Sequence, residues 1–470
     1  MKILLINPPI RLGAPPHSFP IGLGIIAQVL VNEGYRVDIL DINAERISKS
    51  ELIKRINLKS KYDIIGVGGL ITTYQFLKWL IPELRKYNSE SKIIIGGGVV
   101  TETQNLLLNK TPADIAVIGE GEMTMKELVS VLEINKPLET VRGIVYKREN
   151  QIKINPPRPL IKNLDELPLP AYELFPTDIY VHNVWISPKK TQINVITARG
   201  CPYNCNYCFH IFGKGARTRS INNVIEEIKY LIDKYKVESL IIQDETFSLN
   251  KKRVIEFCNS FLREKIKIPW MCSCRVNLVD REMFAKMKQA GCYYINYGIE
   301  SGSQKILDNM NKRVKVHQAK WAIQQTMDAG FYCGTTFMFG YPGEDLTTIK
   351  ETINFCRELM LYPTFFYTTP YPGTKLFEEA KDRILKKFGD LDKFYESLGD
   401  ALEFTINLTD FSDEMLFKLK QKTEKILRKI PYYKYPKFLY LKYKKFGLVE
   451  LMRRILKAVK KKIVYKQGFL

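Results

Sequence analysis

The stretch INVITARGCPYNCNYCFH, residues 193–210, runs from a β-branched segment into three cysteines spaced Cys-x3-Cys-x2-Cys at 201, 205 and 208. INVIT favours a strand. Gly200, Pro202, Asn204 and Asn206 interrupt regular structure, so the cysteines fall on a loop directly after that strand. Three thiolates so spaced can grip one face of a cubic iron–sulfur cluster and leave its fourth iron open. An open metal position is where a substrate or cosubstrate binds, and S-adenosylmethionine (SAM) can chelate such an iron through its amino and carboxylate groups. A zinc knuckle, for which His210 is the one local fourth ligand, and three unrelated core thiols are the alternatives.

The same strand opens a series. Helical patterns at 220–235, 251–265, 280–290, 316–329 and 346–359 alternate with SLIIQD, IPWMCSCRV, YYINYGIE, FYCGTTFMFG and PTFFYTTP. Six strand and helix units predict a partial (β/α)6, TIM-like barrel over 191–370, with its chemistry at the carboxyl ends of the strands. QDETF, CSCRVN, GIESGS (298–303) and FGYPGE (339–344) fall at those ends. Carboxylates at Asp244 and Glu245 complement an ammonium, the Arg275 guanidinium matches a carboxylate, and Gly298 and Gly302 permit close approach. Solvated loop acids and a surface salt bridge are the plain alternatives.

Upstream, residues 1–140 alternate five times, with KILLIN, VDIL, DIIGVG, KIIIGG and DIAVIG each followed by a helical pattern. That predicts an α/β, doubly wound parallel sheet. Ligands of such sheets bind beyond the carboxyl ends of the strands, which here are rich in glycine. From 141 to 190 periodicity fades and prolines gather, predicting a surface linker. Residues 371–470 form a helical, basic C-terminal region. Twelve Lys or Arg against one acid stand in 431–470, and 447–463 predicts a helix with one apolar and one basic face.

An apolar content of 45% over 470 residues excludes large-scale disorder. Nine cysteines, all from 201 onward, do not make a secreted disulfide framework. Cys258, Cys292 and Cys356 are expected as buried packing residues, and Cys272 and Cys274, alternating on one strand, as sharing a face toward the barrel interior. With no signal-peptide pattern and no span-length apolar run, the chain is expected to be cytoplasmic. The net charge of +22, concentrated in the tail, predicts peripheral contact with an anionic membrane surface. A tail helix packed on the barrel is the alternative, and nucleic acid is not the expected partner.

On these motifs, residues 192–370 resemble the radical SAM superfamily. INPP (6–9), PIGLGIIAQVLVNEGYRVDILD (20–41), DIIGVGGLITT (63–73), KIIIGGGVVTE (92–102) and DIAVIGEGE (114–122) resemble the Rossmann-like cobalamin-binding domain of one of its subfamilies. The resemblance implies a [4Fe-4S] cluster on Cys201, Cys205 and Cys208. It implies SAM held by Phe209, Asp244, Glu245, Arg275, Gly298, Glu300, Ser301 and Gly340. Cobalamin would lie against Gly68, Gly69, Thr72, Gly97, Gly98, Gly119, Glu120, Gly121 and Glu122. No Asp-x-His-x-x-Gly run exists and His17 is the only histidine of the first 140 residues, which implies cobalamin without a protein axial ligand or a vestigial flavodoxin-like scaffold.

The activity implied is a 5′-deoxyadenosyl radical used for cobalamin-dependent C-methylation of an unactivated carbon. The substrate is expected to be a small molecule or, given the tail, a lipid or isoprenoid. A flavodoxin, ferredoxin or reductase would donate the electron. A radical cyclase of the same architecture, and a cobalamin and iron–sulfur binding protein without turnover, are the alternatives.

Overall fold

Runs of β-branched residues flanked by helices on both sides can bury both faces of a strand, and the amino-terminal third does so. In the computed structural model, which describes residues 1–11, 13–58, 62–101, 103–149 and 151–428, β1 (Lys2–Asn7), β2 (Arg36–Asp41), β3 (Ile64–Gly68), β4 (Lys92–Gly96) and β5 (Ile115–Val117) form a parallel sheet. Their order is β2-β1-β3-β4-β5. Ile3 and Leu5 pack with the helices Ile21–Asn32 and Glu122–Glu133, while Leu4 and Ile6 pack with Lys49–Leu58 and Tyr74–Tyr87. The order reverses between β1 and β3, so a crevice opens above their carboxyl ends.

The segment expected as a surface linker at 141–190 is more structured than its prolines suggest. β6 (Ile144–Arg148) pairs antiparallel with β5, and β7 (Gln151–Ile154) with β6, extending the sheet. Farther on, Tyr172 and Tyr180 are buried anchors. The Tyr172 hydroxyl donates to Glu227 (2.6 Å) on the barrel helix Ile221–Tyr235, and that of Tyr180 to Asp41 (2.9 Å) at the end of β2. The segment is therefore a strap joining both units, because its aromatics find hydrogen-bonding partners on each side.

The second series is the partial barrel. β8 (Ile193–Val195) leads into a two-stranded antiparallel pair, β9 (Ala198–Arg199) and β10 (Arg217–Thr218), that brackets the cysteine loop. β11 (Leu240–Ile242), β12 (Trp270–Cys274), β13 (Cys292–Glu300), β14 (Tyr332–Phe339) and β15 (Thr364–Tyr367) then add in sequence order to β8, all parallel. Ser220, Asn250, Asp280 and Asp345 each cap a barrel helix by accepting from a backbone N–H of its first turn. These caps stop each loop where its helix must turn back onto the sheet.

Cys272 and Cys274 do not face the barrel interior. They share the face of Trp270, whose ring packs edge-on against Phe257 of the helix Lys251–Arg263, and their sulfurs lie 3.7 Å apart in that outer core. The alternation was read correctly and its direction was not, since helix packing decides which face is outward. Cys258, Cys292 and Cys356 are buried.

Within the C-terminal region, the helices Lys375–Phe388 and Leu391–Glu396 pack on the amino-terminal sheet's helices. Tyr74 and Lys78 both donate to Asp392, at 2.7 Å each. The helix Asp413–Arg428 reaches back to the barrel through Leu416. The predicted helix at 447–463 lies outside the described residues.

Candidate active site

The cysteine loop is tied down on all sides. Asp244, just past β11, accepts from the Thr197 N–H (2.6 Å), the Thr197 hydroxyl (2.6 Å) and the Ala198 N–H (3.0 Å), fixing the chain where β8 ends. The Asn206 N–H donates to the Met310 carbonyl and its side chain to that of Asn309, both at 2.9 Å. Asn311 in turn donates to the Asn204 carbonyl at 2.7 Å. Ser301, Gly302 and Thr352 form a hydrogen-bonded knot behind this turn.

Cys205 is buried, while Cys208 is exposed and Cys201 is half-buried with its sulfur 3.9 Å from the Thr246 hydroxyl. A hydrogen bond from Cys208 and the charges of Lys312 and Arg275 hold the Cys205 thiol low, against the opposing effect of burial, and the same hydrogen bond pushes the Cys208 thiol up. Thiolate is the form that ligates metal. Among the described residues no three His, Cys, Asp or Glu side chains converge closely enough to hold a single metal ion.

Arg275 stacks its guanidinium on Tyr203, 3.7 Å from the ring centroid. Its Nη1 faces the Cys205 sulfur at 3.9 Å and its Nη2 donates to the Lys312 carbonyl, whereas its buried Nε has no partner. Glu300 ends β13 at a positive φ of 69°, after an irregularity at Gly298. Its carboxylate lies 3.2 Å from the Lys312 ammonium, which also donates to the Tyr207 hydroxyl at 2.9 Å. The exposed Glu245 carboxyl, next along from Asp244, is pushed up to about 7 by burial of part of its surface and by the Asp244 charge. Gly340 turns at φ 87° and its N–H donates to the buried Glu344.

Several expected residues thus converge and others are already spent. Glu245, Arg275 and Glu300 stand at adjacent strand ends around the cysteine loop, whereas Asp244 is saturated by the chain and Ser301 serves the knot with Thr352. Lys312, Tyr203 and Tyr207 were missed. The two tyrosines stand inside the cysteine motif and were legible there, but nothing near Lys312 marks it as part of the site.

The glycine-rich ends of the amino-terminal sheet face this loop. A Cβ on Gly98 would lie 3.9 Å from the Phe209 ring and 3.7 Å from Ile211. Gly68, Gly69 and Gly97 mostly let β3 and β4 approach each other: a Cβ on Gly97 would sit 2.7 Å from the Gly69 carbonyl oxygen. Gly119, at φ 76°, has open space over its Cα, and Thr72 lies half-buried on the turn Ile71–Thr73. A Cβ on Gly121 would stand 2.9 Å from the Ile26 side chain. Glu120 and Glu122 are not free to meet a ligand, because Arg199 donates to both carboxylates and Arg217 to the second oxygen of Glu120. His17 stacks on Trp185 with ring centroids 5.6 Å apart.

These residues fit the groups implied by the sequence. A stabilised thiolate suits iron, and the unpartnered Arg275 Nε and the Glu245 carboxyl suit the carboxylate and ammonium of an amino acid. The open backbone at Gly119, just past β5 and beside the Glu120 that reaches Arg199 and Arg217, suits a large flat ligand.

Comparison with known proteins agrees. Residues 195–356 match the family model described as the radical SAM superfamily, and 12–129 match that of the B12 binding domain. An uncharacterized methyltransferase of Pyrococcus horikoshii is 34% identical over 434 residues, 90% of this chain and 91% of that one. Cytidylyl-2-hydroxyethylphosphonate methyltransferase of Streptomyces wedmorensis is 25% identical over 436 residues, 81% of each. The solved radical SAM methyltransferase TsrM of Kitasatospora setae, with cobalamin and a [4Fe-4S] cluster bound, superposes with a TM-score of 0.66 at 17% identity, over 82% of this chain and 76% of that one, a likeness of fold. With both family models matched and a relative at this identity over nine-tenths of each chain, the chain belongs to the radical SAM enzymes that carry a B12-binding domain.

Proposed function

We propose that the chain is a cobalamin-dependent radical SAM methyltransferase acting on an unactivated carbon. The observation that supports this reading is the nearness of Gly98, just past β4, to the cysteine loop, where a Cβ placed on Gly98 would stand 3.9 Å from the Phe209 ring, so that the glycine-rich strand ends lie beside that loop. When bound, the [4Fe-4S] cluster on Cys201, Cys205 and Cys208 supplies the electron that cleaves SAM, and cobalamin carries the methyl group.

The chain's own residues bind and orient. Arg275 presents Nε to the SAM carboxylate while its stacking on Tyr203 fixes the plane of the fork, and Glu245 receives the SAM ammonium, whose charge draws its proton off. Glu300 accepts from the ribose hydroxyls, with Lys312 holding the carboxylate in its turn, and Phe209 covers the adenine. The backbone at Gly340 borders the adenine as well. Gly68, Gly69, Thr72, Gly97, Gly98, Gly119 and Gly121 line the cobalamin side. A flavodoxin- or ferredoxin-type donor supplies the electron.

For the substrate, the lipid or isoprenoid reading rests on the basic segment after residue 430. A second reading, a small polar substrate, is favoured by a cavity of about 220 Å³ inside the barrel, lined by Gln243, Ser273 and Asn296 and closed by His17, Ser18 and Trp185. Burial lowers the affinity of His17 for its proton, while Arg11, paired with Asp400, and Asp244 also line the cavity. Methyl-labelled SAM given to the enzyme with a cell extract separates the readings: label in the organic phase supports the lipid, label in the aqueous phase the polar substrate. A product without label favours the cyclase alternative.

Anaerobic reconstitution with SAM and dithionite is expected to yield 5′-deoxyadenosine, and Cys205→Ala to abolish it. Zinc in place of iron in the anaerobically prepared protein would overturn the assignment.

A further inference from the structure

Glu120, on the loop after β5, and Glu122, which opens the helix Glu122–Glu133, are both buried. Glu120 lies 2.9 Å from Arg199 Nη1 through one oxygen and 2.9 Å from Arg217 Nη1 through the other, which also accepts from the Ile161 N–H at 2.8 Å. Glu122 lies 2.6 Å from Arg199 Nη2. The side chains of Glu120, Glu122 and Arg199 are only 4–6% exposed. Two carboxylates and two guanidiniums thus balance in a buried group, with the Phe212 ring 5.1 Å from the Arg199 guanidinium.

Arg199 and Arg217 are register partners across β9 and β10, and the chain between them holds Cys201, Cys205 and Cys208. One residue of the amino-terminal sheet, Glu120, therefore grips both ends of the cysteine loop. Its neighbour Gly119, at φ 76°, has open space over its Cα. Buried ion pairs are poor stabilisers, since desolvation offsets most of their attraction, and they are better suited to defining one arrangement against others.

We infer that Glu120, Glu122, Arg199 and Arg217 are positioning residues that couple the two cofactor sites: a ligand ordering the Gly119–Glu122 turn orders the cysteine loop, and the reverse. The inference rests on the two-cofactor reading above. Coupling between binding sites is reciprocal, so it is measurable from either side.

The test uses the full chain with its cluster reconstituted anaerobically. SAM affinity is measured by equilibrium dialysis with and without hydroxocobalamin, and hydroxocobalamin affinity by absorbance titration with and without SAM. In the wild type each ligand is expected to tighten the other by about 5-fold or more, and cobalamin to shift the cluster's electron paramagnetic resonance signal. Glu122→Gln keeps the shape and removes one charge, and Arg217→Lys keeps the charge and removes the fork. Each is expected to bind either ligand alone within about 3-fold of wild type while the coupling factor falls toward one and the spectral shift disappears. Undiminished coupling in both folded variants, or independent binding in the wild type, overturns the inference and leaves the two-cofactor reading standing. A wild type that binds SAM but no cobalamin overturns both.

Discussion

Glu344 is buried beneath Gly340, and burial pushes its carboxyl up to about 8 from an ordinary 4.5. The folded protein therefore keeps a proton that the unfolded chain releases as pH rises above about 4.5. Stability from this group is whole below that value and is withdrawn between about pH 5 and 8, by about 5 kcal/mol in all. Glu344→Gln still accepts from the Gly340 N–H and cannot ionise. Its melting temperature is expected to equal that of wild type near pH 5 and to exceed it by several degrees at pH 8, measured by circular dichroism. At this scale the sequence marked the ligand types well, because Cys-x3-Cys-x2-Cys and the strand-end Glu245, Arg275 and Glu300 are local patterns. Which carboxylates remain free was not local: Asp244, Glu120 and Glu122 are engaged by residues distant along the chain, Asp244 by Thr197 and the other two by Arg199 and Arg217.

At the scale of elements, β3 and β4 end in glycines because their loops meet backbone to backbone. Gly97 adopts φ 82°, and an added Cβ would stand 2.7 Å from the Gly69 carbonyl oxygen. Gly97→Ala is expected to lower stability by about 1–2 kcal/mol from the left-handed conformation alone, with a further loss as the two loops separate. Urea unfolding would read the change, and an unaltered midpoint would refute it. Strands and helices of both α/β units were legible from periodicity, with helix ends set by caps such as Ser220 and Asp280. β6, β7 and the strap at 172–182 were not, since short segments among prolines carry too few periods to declare themselves.

For the whole molecule, the formal charge of +22 is carried by the full chain, and no helix among the described residues is long and apolar enough to cross a membrane. If the basic segment after residue 430 binds anionic surfaces, the full chain floats with phosphatidylserine liposomes and a chain ending at Ile430 does not. Binding should weaken with salt, as screened charges require. Equal behaviour of the two chains would remove the membrane argument. What the sequence by itself determined is the order of units, the cysteine loop and the types of side chain at the strand ends, because spacing along one strand or loop is enough to specify them. Only the tertiary structure decided that Lys312 backs Glu300, that Cys272 and Cys274 face the helices, and that Glu120 clasps both ends of the cysteine loop. Those facts depend on which surfaces pack together, and burial turns a charged side chain toward whatever distant partner can neutralise it.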